Sequence, residues 1–176
     1  MPEVLTPQQL AEEGTGAFQK GQFESAANSF AAAGDGFVSA GKPLDAAEMK
    51  NNQSVALLKA GNAQRAFEAV SGTESVFQAA GDIRRQGFAA GNEASALEAL
   101  GRLDEAAQKY QHSADLLEEA GEDQMRAHVL ESLSALQIRQ GKSLDAVLSM
   151  QSGIVGVKKP TLKQKIAKSL IKFRLW

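Results

Sequence analysis

Glycine stands at positions 21, 41, 61, 81, 101, 121 and 141, one every 20 residues without a slip. A fixed spacing of this kind is the signature of a repeat architecture, in which each unit buries its apolar face only by stacking on its neighbours. The stretches between the glycines are rich in Ala, Leu, Glu, Gln and Lys, which form helices readily. Glycine ends helices at low cost, because without a Cβ it takes the left-handed conformation just past the last turn. The spacing therefore predicts helices of about 17 residues, each ~26 Å long, joined by tight glycine turns. Such a chain is an all-α antiparallel solenoid.

A second column doubles the unit. Ala26, Ala66, Ala106 and Ala146 each follow a glycine by five residues and recur every 40, whereas no shared residue type stands five places after Gly41, Gly81 and Gly121. Alanine is needed where two helix backbones cross closely and a larger side chain would push them apart. Four residues beyond these alanines come Phe30, Val70, Tyr110 and Met150. A large apolar residue one turn beyond a small one is the interlock of a packed helical pair, so the repeat is a pair of unlike helices.

The first helix opens with Thr6-Pro7-Gln8-Gln9, in which Thr6 and Gln9 form a capping box and Pro7 suits the first helical position. It runs to about residue 20. Further helices are expected over about 23–40, 44–60, 63–80, 83–100, 103–120, 123–140 and 143–157, with a ninth segment, 161–176, after Pro160. Internal glycines at 34, 36, 72, 153 and 156 fall inside the second helices of the pairs. Each costs about 1 kcal/mol against alanine and marks a kink, an early helix end or a close approach. The repeat domain thus covers 1–160, in units of about 7–42, 43–82, 83–122 and 123–160.

Composition narrows the function classes. The chain of 176 residues has no cysteine, which excludes disulfides, thiolate metal sites and cysteine nucleophiles. Residues 1–10 lack the basic and apolar segments of a signal peptide, and no apolar run approaches the ~18 residues of a membrane span. A soluble, cytoplasmic protein is the expectation. His112 and His128 lie on different predicted helices, and no H-E-x-x-H, phosphate loop or nucleophile elbow occurs. Nothing in the sequence points to an enzyme or to a cofactor.

The net charge of −2 conceals an asymmetry. Residues 158–174 carry seven basic side chains and no acidic one, leaving 12 of the 19 basic and all 21 acidic residues in 1–157, a net −9. On a helix, Leu162, Ile166, Leu170 and Phe173 share one face, with Lys165, Lys168 and Lys172 opposite and Lys163 and Arg174 adding charge. Such a helix either caps the open end of the solenoid, adheres to an anionic membrane surface, or docks on an acidic partner, a second copy of the chain included. Nucleic acid is the least favoured of the anionic surfaces.

Taken together, these columns resemble the tetratricopeptide repeat family. In the first unit, Gly14, Gly21, Phe23, Ala26, Phe30 and Ala33 match the family pattern, and in the third, Leu97, Gly101, Leu103, Ala106 and Tyr110 do. The fourth departs most, with Gln137 where a large apolar residue is usual. The 40-residue unit is longer than the family's minimum and is similar to the long-helix repeats of soluble SNAP adaptors and kinesin light chains. The resemblance implies a right-handed superhelix of four helix pairs, capped by the C-terminal helix, whose first helices line a concave groove that binds a protein segment.

The same resemblance implies the groove residues: Glu12, Thr15 and Phe18; Glu48, Asn51, Asn52, Val55, Leu58 and Lys59; Phe88, Asn92, Ser95 and Glu98; and His128, Glu131, Ser132, Ala135, Ile138 and Arg139. Asn52 and Asn92, one repeat apart, stand out, because a side-chain amide both donates to and accepts from a partner's backbone. Chaperone-binding members clamp a terminal carboxylate with basic groove residues. Ala11, Thr15 and Phe88 stand at the corresponding places here, so the C-termini of heat-shock chaperones are not the expected ligands. The expected function is a non-enzymatic adaptor or scaffold; the alternative is a peripheral membrane protein held by its basic tail.

Overall fold

The computed structural model of the chain describes residues 5–154. Among these, the chain forms nine helices and no strand: α1 (Pro7–Gln19), α2 (Phe23–Ser39), α3 (Pro43–Lys59), α4 (Ala63–Val70), α5 (Thr73–Ala79), α6 (Ile83–Ala99), α7 (Leu103–Glu119), α8 (Asp123–Arg139) and α9 (Ser143–Ile154). The expected helix at 161–176 and the last residues of the one at 143–157 lie outside the described residues.

The glycine period works as the sequence predicts. All seven period glycines adopt positive φ, between 68° and 82°. After each, the next residue's N–H bonds back to a carbonyl five residues earlier, as in Gln22 N to Ala17 O at 2.9 Å and Arg102 N to Leu97 O at 2.9 Å. This is the Schellman closure, which satisfies carbonyls that the helix end would otherwise orphan. At the other end of the array the capping box forms: Gln9 N–H donates to Thr6 Oγ1 at 3.2 Å and Thr6 N–H to Gln9 Oε1 at 2.8 Å.

Neighbouring helices pack in sequence, α1 on α2, α2 on α3, α3 on α4, α5 on α6, α6 on α7, α7 on α8 and α8 on α9. This is a solenoid of four antiparallel pairs. Ala26, Ala66, Ala106 and Ala146 are all buried at the crossings, with Phe30, Val70 and Tyr110 buried beside them and Met150 half-buried. The same level of the first helices is buried as well. There it holds Ala46, Gln86 and the half-buried Arg126, whose polar groups bond to Glu74 and to Ser152. The two columns differ in chemistry, not in burial.

One expected helix is broken. The segment 63–80 divides at Ser71-Gly72, where Gly72 adopts φ 81°, and Thr73 Oγ1 closes the bend on Val70 O at 2.8 Å. An interior glycine can end a helix wherever tertiary packing rewards the bend, and here α5 turns onto both α3 and α6 and buries Phe77. Gly36 and Gly153 act by close approach, Gly34 makes ordinary contacts, and Gly156 lies outside the described residues. A Cβ on Gly36 would sit 2.7 Å from the Pro7 ring, and one on Gly153 3.1 Å from Leu130 Cβ.

Candidate partner-binding groove

Helix α6 contacts α3, α4, α5 and α7. Two glycines one turn apart let it settle onto α7. A Cβ on Gly87 would come within 3.0 Å of the Leu117 side chain, and one on Gly91 within 3.0 Å of Ser113 Oγ. Ser113 Oγ instead donates to Gly87 O at 2.7 Å. Beside this close packing, a cavity of about 700 Å³ opens between the first helices of the second, third and fourth pairs. Phe77, Leu117 and Val129 line its apolar part.

Eight of the sequence-predicted groove residues line this cavity: Glu48, Asn51, Asn52, Phe88, Asn92, Ser95, His128 and Ser132. The others lie off it. Val55, Leu58 and Glu98 are half-buried, and Lys59, Glu131, Ala135, Ile138 and Arg139 are exposed along the same helices. In the first pair Glu12 is exposed, Thr15 is exposed and donates to Ala11 O, and Phe18 meets Phe23 edge-on at 5.3 Å. The tail residues Lys163, Lys165, Lys168, Lys172 and Arg174 fall outside the described residues.

The two asparagines do different things, which corrects the expectation that they form a matched pair. Asn92 Nδ2 donates to Asn51 Oδ1 at 3.1 Å, and the buried Asn51 donates in turn to Ala47 O at 2.9 Å. Asn92 is therefore a rung between α3 and α6. Asn52, half-buried on the cavity wall, has no partner among the described residues. Asn92→Ala is expected to cost about 1 kcal/mol, since the buried Asn51 oxygen loses its donor; thermal unfolding of the variant measures it.

The arginines at the groove mouth are paired within the fold. Arg85 bonds Asp82 at 2.6 Å and Glu48 at 3.3 Å while its guanidinium lies 5.1 Å from the Phe77 ring centre. Arg84 pairs with Glu122 and stacks 4.8 Å over Phe88. The Arg85 backbone N–H, and then its guanidinium, hold the Asp82 carboxyl below its ordinary range. At the far end of the cavity Tyr110 donates to Glu98 at 2.8 Å and shares a 3.1 Å contact with Ser95. Burial, reinforced by that carboxylate, pushes the phenol above its ordinary value. The surface left for a ligand is thus amide, hydroxyl, imidazole and aromatic.

Sequence reasoning missed Arg84, Arg85, Phe77 and the Gly87/Gly91 pair. The only available signal was a second glycine spacing within one helix, which has no fixed place in the 20-residue period. Among the described residues no three His, Asp or Glu side chains stand close enough to hold a metal ion, and no helix is long and apolar enough to cross a membrane. No protein-family model matches the chain, and no curated protein is similar to it.

Proposed function

We propose that the chain is a non-enzymatic adaptor of the tetratricopeptide type that holds a segment of a partner protein in the groove formed by α3, α6 and α8. The observation that carries this reading is the cavity itself. It is as large as a ligand pocket, and it is lined by groups that pair with a peptide backbone, with its arginines already neutralised by Asp82, Glu48 and Glu122. Such a lining suits an extended, uncharged stretch. Amide and hydroxyl groups meet its N–H and C=O, and an apolar side chain enters the floor toward Phe77, Leu117 and Val129.

A photo-reactive side chain placed at Asn52 tests the face used. Cross-linking in an extract should attach a partner segment at position 52 and not at Gln108, an exposed position on α7 away from the cavity. Equal attachment at both positions, or attachment at Gln108 alone, would refute groove binding.

A further inference from the structure

The Asn51–Asn92 rung occupies one place in a repeating column, and the places on either side of it are open. Shifted back one pair, the rung falls on Ala11 and Asn52; shifted forward, it falls on Gly91 and Ser132. Ala11 offers no polar side chain, which leaves the Asn52 amide without a partner among the described residues. Gly91 has no side chain, and Ser132 turns its hydroxyl onto His128 O at 3.2 Å. Helix packing follows the same division. Helix α3 packs directly on α6, whereas no comparable packing joins α6 to α8.

The two open places differ in chemistry. At Asn52 an amide is free to bond. Between α6 and α8 the cavity reaches Ser113 and Leu117 on α7, and there the hydroxyl protons are already spent. Ser95 donates to Gly91 O at 3.0 Å, Ser113 to Gly87 O at 2.7 Å and Tyr110 to Glu98 at 2.8 Å. Phe88, Leu117 and Val129 supply carbon walls, and His128 stays exposed at the rim. A charged side chain placed there would lose water without gaining a hydroxyl donor, whereas a branched apolar one loses nothing. Gly91 leaves room for it: a Cβ there would stand 3.0 Å from Ser113 Oγ and 3.7 Å from Val129 Cγ2.

We propose that the open place over Gly91, between α6 and α8, is the specificity pocket of the groove and takes one branched apolar side chain of valine or leucine size. This rests on the groove reading and adds to it which residue the bound segment must carry, and where. With neighbouring helix axes ~9 Å apart, the pocket lies roughly 14 Å from Asn52, a span of about four residues of extended chain. The segment therefore places its apolar anchor about four residues from the backbone group that Asn52 holds.

The pocket can be probed on the free protein, because the chain has no cysteine. In Ser132→Cys, isobutyl thiol, 3-mercaptopropionate and cysteamine compete as disulfides against 2-mercaptoethanol, and the same series on Gln108→Cys supplies the baseline. Relative to that baseline, the isobutyl adduct at position 132 should withstand on the order of 10-fold more reductant than the charged adducts. Equal survival of the three adducts, or a preference for a charged one, would overturn the proposal. Two further substitutions in Ser132→Cys read the shape of the pocket. Gly91→Ala should weaken the isobutyl preference, and Phe88→Ala should shift it toward the bulkier benzyl thiol; an order of adducts unchanged by both counts against the pocket. Cross-linking at position 52 is read separately. A segment captured there, with no apolar preference at position 132, would overturn the pocket and leave groove binding standing.

Discussion

Lys109→Met is expected to destabilise the fold by about 2 kcal/mol and to change the sign of its response to mild acid. The Lys109 ammonium lies 2.8 Å from both Glu74 and Glu93, whose side chains are only 17% and 16% exposed. His112 and Gln86 also bond to Glu74, at 2.8 and 3.3 Å. Burial alone would push the Glu74 carboxyl up, but the bonds from Lys109, His112 and Gln86 outweigh it and hold the carboxyl below its ordinary value. Burial likewise opposes the Lys109 charge, and the two carboxylates outweigh it to hold the ammonium above its ordinary value.

In the native protein this cluster therefore stabilises fully between the ordinary values of 4.5 and 10.5. Its contribution is lost as pH falls through the depressed Glu74 pKa or rises through the elevated Lys109 pKa. Without the ammonium, two poorly solvated carboxylates face each other and their folded-state pKa values rise. The variant should then gain stability as the pH drops from 7 toward 4.5, while the contribution of the native Glu74–Lys109 pair is flat over that range. Urea unfolding at three pH values reads both slopes. Parallel slopes would show that the cluster is too well solvated to matter.

Ala106→Leu should cost on the order of 1–3 kcal/mol. Ala106 is fully buried in the first turn of α7, in one apolar cluster with Ala94, Leu97 and Tyr110. A Cβ already fills the space at this crossing. The added atoms must separate α6 from α7, and both helices contribute residues to the cavity wall. The same substitution should therefore weaken partner binding as well as lower Tm. An unchanged Tm would mean that the crossing yields without strain, against the close-packed pairing that the 40-residue alanine column implies.

The solenoid was readable because its determinants are local and repeated. A left-handed glycine and an alanine at a crossing act at fixed distances from each other, so periodicity exposes them. Gly72 carried no such information. The same residue is compatible with a kink, a helix end or a close contact, and only the packing of Phe77 beneath α3 and α6 decides for the break. In the groove, the positions followed from helical register, whereas their partners did not. Asn51, Asn52 and Asn92 are indistinguishable as letters. Which amide is consumed by a rung depends on the offset between α3 and α6, a relation 41 residues long in the chain. The pairing of Arg84 and Arg85 with Glu122 and Glu48 is non-local in the same way.

The central claim is that the cavity between α3, α6 and α8 holds a partner segment. It is tested most directly by titrating the segment recovered by cross-linking at position 52 into the native protein and into Asn52→Ala/His128→Ala. Asn52 is half-buried without a partner and His128 is exposed, so both substitutions should leave stability within about ±0.5 kcal/mol. Two lost hydrogen bonds of about 1 kcal/mol each predict a Kd raised on the order of 10- to 30-fold. An unchanged Kd with unchanged stability would contradict the account.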